Sequence, residues 1–214
     1  MLDFGFYNMD CMDGMKDFPD NYFDLAIVDP PYGEGLRAEG GGSKGWFTKY
    51  NQRTESGEKN IKWNTKPTDE YFDELFRISK NQIIWGGNFF SLPPTRCFLI
   101  WKKLTISENF TMAMAEYAWT SLEDNAKVFE YQPQDKERFH PTQKPVALYE
   151  WILNRYTKEG DIILDTHVGS ASSLIACRNT NHKFVGFEIN EEYYQKAKKR
   201  LDAEMAQMNI FDYL

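Results

Sequence analysis

Short apolar runs recur along the whole chain, and most of them end at an acidic or turn-forming residue. They are rich in Ile, Val, Leu, Phe and Trp and are too short to form helices of ordinary length. A run that is apolar at consecutive positions, rather than at alternate ones, indicates a strand buried on both faces. We therefore predict strands at residues 4–7, 23–28, 82–85, 98–101, 162–164 and 184–187.

Amphipathic patterns with the period of an α-helix lie between several of these strands. One covers residues 68–79 and begins with Thr68 as a cap. Similar patterns cover residues 145–156, with a proline in the first turn, and residues 191–208, which have a charged outer face. Strands that alternate with helices predict an α/β fold with a mostly parallel central sheet.

Length and composition fit one folded domain that covers residues 1–214, with hydrophobic residues making up 42% of the chain. No apolar stretch approaches the ~20 residues that span a bilayer. The first residues lack the basic and apolar regions of a signal peptide, so we expect a cytoplasmic protein. The three cysteines have no metal-ligand spacing, and we expect reduced thiols and no metal site.

Residues 33–66 interrupt the alternation of strands and helices with a long segment rich in Gly, Ser, Lys and Asn. This segment carries seven basic and four acidic residues, although the whole chain has a net charge of −7. A locally basic loop on an acidic body is compatible with phosphate contacts on one face. A loop of this length is usually a mobile lid or a disordered insert, and both interpretations stay open.

The tetrapeptide Asp29-Pro30-Pro31-Tyr32 directly follows the predicted strand at 23–28. Proline fixes φ and has no N–H, so the turn presents a carboxylate and carbonyl groups as fixed acceptors beside an aromatic ring. A flat heterocycle such as adenine or cytosine could lie against Tyr32 and donate both amino hydrogens, to Asp29 and to the Pro30 carbonyl. A proline-stiffened strand exit without a chemical role is the alternative interpretation.

A second candidate site follows the predicted strand at 162–164, in the segment Asp165-Thr166-His167-Val168-Gly169-Ser170-Ala171-Ser172. An acid, a glycine and small residues between a strand and a helix let a polar ligand approach the backbone. Glu188 ends the predicted strand at 184–187, where an acid can hold the hydroxyls of a ribose. The pair indicates a nucleoside-type cofactor rather than a dinucleotide. An ordinary strand-to-helix turn is the alternative.

Together with His140-Pro141-Thr142-Gln143-Lys144-Pro145, these segments resemble the motifs of amino-methylating DNA methyltransferases, which use S-adenosylmethionine. Residues 29–32 are similar to their catalytic motif, and residues 165–172 to their cofactor motif, usually D-P-F-x-G-S-G-T. The catalytic motif comes first, which is typical of the β group, a circular permutation of the common order. The resemblance covers residues 10 to about 200 and implies a Rossmann-like methyltransferase fold.

The resemblance also implies a role for each matching residue. Asp29 and the Pro30 carbonyl would accept hydrogen bonds from the target amino group, and Tyr32, after Pro31, would stack on a base flipped out of the duplex. The methyl group would then pass directly, in line, to the nitrogen. The other matched positions would bind the cofactor. Asp165 and Gly169 would lie at its methionine end, with His167 and Ser170 in the same turn, and Glu188 at the ribose. Asp10 and Cys11 would lie near the adenine, and Thr142 and Lys144 near the methionine carboxylate.

Three positions depart from the family motif. Thr166 and His167 stand where Pro and Phe are usual, and Ala171 replaces the second glycine. We expect His167 to be a wall of the site, because no acid lies at a spacing that would pair it. The extra methyl group of Ala171 predicts a weaker cofactor affinity.

The choice of base rests on the first residue of the catalytic motif, because aspartate is more typical of adenine-N6 enzymes and serine of cytosine-N4 enzymes. We expect site-specific methylation of adenine N6 in double-stranded DNA, in a restriction–modification setting, with cytosine N4 as the alternative. Residues 121–139 are the expected target-recognition segment. So short a segment contacts few base edges, which predicts a short or loosely defined site, or help from a second subunit in a homodimer.

The C-terminal residues Gln207-Met208-Asn209-Ile210-Phe211 resemble the Q-L-x-L-F peptide that docks on bacterial sliding clamps. A helix end that packs its own apolar residues is the alternative.

Three other functions stay open. An RNA or protein-amide methyltransferase would share the fold, although protein-glutamine enzymes usually have N-P-P-Y and the opposite motif order. The altered cofactor turn would suit a catalytically weak nucleic-acid-binding subunit, and the glycine pattern disfavours a nucleotide-binding oxidoreductase.

Overall fold

A computed structural model describes residues 1–33, 65–110, 113–133 and 138–211 of the chain, with only the backbone of 207–211. Eight strands in these ranges form one sheet. Their bounds are β1 (Gly5–Asn8), β2 (Leu25–Val28), β3 (Gln82–Trp85), β4 (Phe98–Lys103), β5 (Ala115–Thr120), β6 (Lys127–Tyr131), β7 (Ile162–Asp165) and β8 (Lys183–Glu188). All six predicted strands are confirmed, five with shifted ends and the one at 82–85 with the predicted bounds.

Five α-helices accompany these strands in the described ranges: α1 (Cys11–Met15), α2 (Asp69–Ile78), α3 (Val146–Tyr156), α4 (Ser172–Asn179) and α5 (Glu191–Phe211). The three predicted long helices are confirmed. Thr68 occupies the N-cap position of α2, as predicted, but its side chain makes no capping hydrogen bond to the backbone. Within the described part of the chain, no helix combines the length and apolar character that crossing a membrane requires.

The strand order is β1-β8-β7-β2-β3-β5-β4-β6, and every neighbouring pair is parallel except the two that involve β5. The sequence pattern missed β5 and β6 because neither is a continuous apolar run. Glu116 interrupts β5, and β6 is an edge strand with half-exposed and exposed side chains. The expected target-recognition segment therefore contains β6, while its residues 134–137 lie outside the described residues.

Helices cover both faces of the sheet. On one face, α2 buries Phe72 and Leu75 against strand residues such as Ile84. On the other face, α3 and α4 pack on Ile83 and its neighbours. All four residues of β2 are buried, as its apolar run predicts, and each large buried side chain contributes about 1.5–3 kcal/mol.

Parallel strands bring the candidate residues to one edge of the sheet. β2 lies between β3 and β7, and β7 is paired with β8. Asp29 follows β2, Asp165 is the last residue of β7, and Glu188 is the last residue of β8. Because carboxyl ends of neighbouring parallel strands meet at the same edge, both candidate sites face one crevice.

Two predicted segments reach beyond the described residues. In the proposed lid at 33–66, residues 34–64 lie outside the described part of the chain. Helix α5 continues through the clamp-like peptide to Phe211, and the side chains of 207–211 are likewise outside it. The lid and the clamp peptide stay predictions.

Candidate active site

A cavity of about 570 Å³ at this edge of the sheet joins the two candidate sites. Every predicted site residue except Asp165 lines it. Asp165 is buried at the end of β7. The lining residues that were predicted are Asp10, Cys11, Asp29, Pro30, Pro31, Tyr32, Thr142, Lys144, His167, Gly169, Ser170 and Glu188.

The tetrapeptide after β2 forms a turn in which Tyr32 and Asp29 bind each other. The Tyr32 hydroxyl donates a hydrogen bond of 2.9 Å to Asp29 Oδ1. The Tyr32 ring lies 4.7 Å from that of Phe89, at 33°, and packs on Gly86. Burial and the Asp29 charge raise the pKa of Tyr32, so its hydroxyl stays a donor at neutral pH.

Lys144 binds the Asp29 carboxylate through the oxygen that Tyr32 leaves free. Its ammonium contacts Asp29 Oδ2 and lies 3.1 Å from Glu116 Oε2, while the side chain is almost completely buried. Lys103 Nζ approaches Glu116 Oε1 at 2.6 Å. Burial alone would lower the pKa of Lys144, but the Asp29 and Glu116 carboxylates raise it. Lys144 is therefore a buried, paired cation.

Sequence reasoning missed Glu116, which no motif marks. Burial would raise the pKa of its carboxyl, but the two lysine ammonium groups lower it to about 2. The one available signal was an acid within an otherwise mostly apolar segment, which requires a partner if the segment is a buried strand. The contact of Lys144 with the methionine carboxylate stays a prediction, and its described ion-pair partners are the Asp29 and Glu116 carboxylates.

Residues 165–172, which resemble the family's cofactor motif, are called the cofactor-like turn. Two hydrogen-bond donors hold the Asp165 carboxylate at its start. The His167 amide donates to Oδ1 at 2.9 Å, and the Ser173 hydroxyl donates to Oδ2. Burial raises the pKa of Asp165 to about 7, and the charges of Asp29 and Glu188 act in the same direction. A buried carboxyl whose described donors are neutral is a favourable neighbour for a ligand cation.

Glu188 links the ends of β7 and β8 through backbone hydrogen bonds. Its Oε2 accepts from the Gly169 amide at 2.9 Å, and its Oε1 accepts from the Asn190 amide at 2.8 Å. Each carboxylate oxygen has two lone pairs, so acceptor capacity is left for ligand hydroxyls. Burial raises the pKa of Glu188.

Two of the three departures from the family motif, Thr166 and His167, are joined by hydrogen bonds to Tyr71. The Tyr71 hydroxyl and Thr166 Oγ1 lie 2.6 Å apart, and Thr166 Oγ1 lies 2.9 Å from His167 Nδ1. Burial lowers the pKa of His167 to about 4, so the ring is neutral at pH 7. His167 lines the cavity as a neutral side chain, and its role there stays a prediction.

The segment at residues 140–145 packs on the cofactor-like turn. A Cβ atom added to Gly169, whose φ is +57°, would lie 3.2 Å from the His140 ring. Thr142 Oγ1 lies 3.2 Å from His140 Nδ1. Burial lowers the pKa of His140 to about 3, so this ring is also neutral.

Asp10 and Cys11 lie at the N-terminus of α1. The Asp10 side chain accepts a hydrogen bond of 2.9 Å from the Met12 amide and caps the helix. Burial raises the pKa of the Cys11 thiol to about 12, which makes it an apolar contact rather than a nucleophile.

Comparisons with known proteins agree with the motifs. The family model described as DNA methylase matches residues 100–199. The chain is 48% identical over 73 residues to the type II methyltransferase M.HpaI of Haemophilus parainfluenzae, covering 34% of this chain and 22% of that protein. It is 26% identical over 215 residues to the putative methylase YubD of Escherichia coli, covering 92% and 90%. It is 41% identical over 68 residues to the DNA adenine methyltransferase YhdJ of E. coli, covering 32% and 23%.

Solved structures show the same fold. The structure of the M1.HpyAVI–SAM complex has a TM-score of 0.60 and 23% identity, with 92% of this chain and 98% of that chain covered. The cytosine-N4-specific PvuII DNA methyltransferase has a TM-score of 0.59 and 12% identity, with 91% and 84% covered. The fold is thus the Rossmann-like fold of methyltransferases, and the resemblance to amino-methylating DNA methyltransferases is confirmed. Against M.HpaI and YhdJ, the chain spans less than a quarter of their length.

Proposed function

We propose that this protein is a DNA methyltransferase that transfers a methyl group from S-adenosylmethionine to the N6 amino group of adenine. The observation that carries the proposal is the cavity that joins the Asp29-Pro30-Pro31-Tyr32 turn to the turn after β7 and to Glu188 at the end of β8. An amino-group acceptor and a nucleoside-type site in one crevice are what methyl transfer to a base requires.

The residues at the cofactor end fit the chemistry of S-adenosylmethionine. Asp165 is buried behind the turn that lines the cavity, so its carboxyl would act on the positively charged methionine end through its charge, while Glu188 offers acceptors to the ribose hydroxyls. When bound, the cofactor supplies an electrophilic methyl group on a sulfonium. The neutral rings of His167 and His140 and the protonated, partly buried Cys11 thiol bring no competing charge to this part of the cavity.

At the other end, Asp29 and the Pro30 carbonyl orient the target nitrogen. The lone pair of an aromatic amine is delocalised into the ring, which makes the nitrogen a poor nucleophile. Two fixed acceptors on its hydrogens favour a pyramidal nitrogen whose lone pair points towards the methyl group. Asp29 stabilises the positive charge that develops on nitrogen through its own negative charge, and Tyr32 stacks on the flipped base.

Adenine is supported by two features. The tetrapeptide begins with aspartate, and YhdJ, which is similar over part of the chain, is described as a DNA adenine methyltransferase. The fold does not distinguish adenine from cytosine as the target base, because the cytosine-N4-specific PvuII enzyme shares this fold. Double-stranded DNA as substrate, a homodimer and docking on a sliding clamp are further parts of this proposal.

The test is a labelled-methyl assay on mixed-sequence DNA with the wild type and the Asp29→Ala variant. We expect transfer by the wild type and none by the variant. Calorimetry should show that the variant still binds S-adenosylmethionine, because Asp29 belongs to the amino-group end of the cavity. Retained turnover without the Asp29 carboxylate contradicts the proposed role.

A further inference from the structure

A row of alternating charges runs from the cavity along the carboxyl-terminal edge of the sheet to the start of β5. It consists of Asp29, Lys144, Glu116 and Lys103, in which each charge contacts the next within 3.1 Å. Only the Asp29 and Lys144 end lines the cavity. Glu116 lies near the start of β5, which runs antiparallel to β3 and so begins at the edge where β3 ends.

Without Glu116, the contact between Lys144 and Asp29 would weaken the role of Asp29 in the proposed reaction. A buried ammonium on the catalytic carboxylate offsets the negative charge that should stabilise the attacking nitrogen, and electrostatic interactions are strong in a poorly hydrated site. Glu116 contacts the same ammonium at 3.1 Å. It shares the charge of Lys144 and so leaves more of the Asp29 charge for the substrate.

Stability alone does not account for such a row of charges. Buried ion pairs cost desolvation free energy and are often replaced by apolar residues without loss of stability. Here the row ends on the carboxylate that the proposed reaction uses, and Lys144 also lies 5.2 Å above the Trp85 ring, which limits where its ammonium can go. The arrangement holds one orientation of the Asp29 carboxylate, with Oδ1 on Tyr32 and Oδ2 on Lys144.

We propose that Glu116 is a positioning residue for methyl transfer, which acts through Lys144 to orient Asp29 and to preserve its negative charge. This inference rests on the proposed function. Lys103 anchors Glu116 from its far side, at 2.6 Å.

The test is a double-mutant cycle in the full chain with Glu116→Gln, Lys144→Met and the double variant. The measured quantities are the single-turnover rate of methyl transfer at saturating cofactor and DNA, the cofactor KM, and the melting temperature. We expect Glu116→Gln to lower the rate about tenfold while the cofactor KM stays within about twofold. In the Lys144→Met background, Glu116→Gln should cause no further loss.

Glu192→Gln is the matched control, because Glu192 pairs with Lys196 on the exposed face of α5 and should leave the rate unchanged. An unchanged rate in Glu116→Gln, or equal losses with and without Lys144, overturns the role of Glu116. If Glu116→Gln does not fold, Lys103→Met tests the same row, and an unchanged rate there contradicts the proposal. A wild type that transfers no methyl group overturns the proposed function itself.

Discussion

Gly86 lies directly against the ring of Tyr32: a Cβ atom at Gly86 would stand 2.1 Å from Tyr32 Cε1. Gly86 follows β3 with a φ of +66°, in the left-handed region. A residue outside both motifs therefore sets how closely the aromatic ring of the Asp29-Pro30-Pro31-Tyr32 turn approaches the sheet. The position requires glycine for its backbone conformation and for the space that the ring occupies.

Gly86→Ala should displace the Tyr32 ring and lower the rate of methyl transfer by on the order of 100-fold, because small misplacements of a positioning group have effects of this size. Gly160→Ala is the matched control. Gly160 also has a positive φ, of +88°, but a Cβ atom there would meet no atom within 4 Å.

Both variants should lose about 1–2 kcal/mol of stability through backbone strain, measured by thermal unfolding. At a temperature where both variants are folded, only Gly86→Ala should have a reduced rate of methyl transfer. Equal rates for the two variants at a temperature where both are folded would show that the position of Tyr32 is not limiting.

Tyr32→Phe keeps the ring and removes the hydroxyl that donates to Asp29 Oδ1. A hydrogen bond to a charged group is worth about 1.5–3 kcal/mol, so we expect a rate loss of roughly tenfold to 100-fold if the bond persists in the transition state. Tyr32→Ala should lose more, because the stacking surface is also removed. Kinetics of the two variants on the same DNA would measure the difference, and equal losses would argue against stacking.

The two motifs could be located from the sequence because each directly follows a continuous apolar run. Leu25–Val28 and the three residues 162–164 are such runs, and the parallel pairing of their strands brings Asp29 and Asp165 to one edge. Glu116 could not be located in this way. Its strand mixes buried and half-exposed positions, and its ion pair with Lys144 joins residues that only the tertiary structure brings together.

Asp165 should make cofactor binding depend on pH. Its pKa is raised from 3.8 to about 7, so below pH 7 the free protein mostly holds a proton there. A cation beside it favours the ionised form, so the cofactor affinity should rise as the pH increases from about 5 to 7 and then level off. Calorimetry in buffers of different ionisation enthalpy should show proton release, and Asp165→Asn should abolish it. A flat pH profile in the wild type contradicts the electrostatic interaction between Asp165 and the cofactor.

The raised pKa of Asp165 also makes the stability of the free protein depend on pH. Between about pH 4 and 7 the unfolded chain has lost the Asp165 proton while the folded chain keeps it, so this group lowers the free energy of unfolding as the pH rises. The Asp165→Asn variant should lack this component, which melting curves across that pH window would reveal.

Ala171 has a φ of +64° at the start of α4, where the family motif has glycine. An L-residue in this region costs about 1–2 kcal/mol, so Ala171→Gly should stabilise the protein by up to about 1 kcal/mol and tighten cofactor binding. Gly169→Ala is the opposite change, since it adds strain and a contact of 3.2 Å with the His140 ring. The changes in melting temperature and in cofactor affinity should have opposite signs in the two variants. A lower melting temperature of Ala171→Gly would contradict backbone strain at this position.

The other departures from the motif show why sequence comparison alone was incomplete. Thr166 and His167 replace Pro and Phe, and the pattern offered no acid to pair His167. The partner is instead a hydroxyl network that reaches Tyr71 in α2, almost 100 residues away along the chain. A local motif does not report such a contact.

The most direct test is to incubate mixed-sequence DNA with the protein and S-adenosylmethionine, digest the DNA and identify the methylated nucleosides by mass spectrometry. We predict N6-methyladenine with the wild type and no methylated nucleoside with Asp29→Ala. N4-methylcytosine would contradict the choice of base, and the absence of any methylated base with a folded, cofactor-binding wild type would contradict the proposed activity.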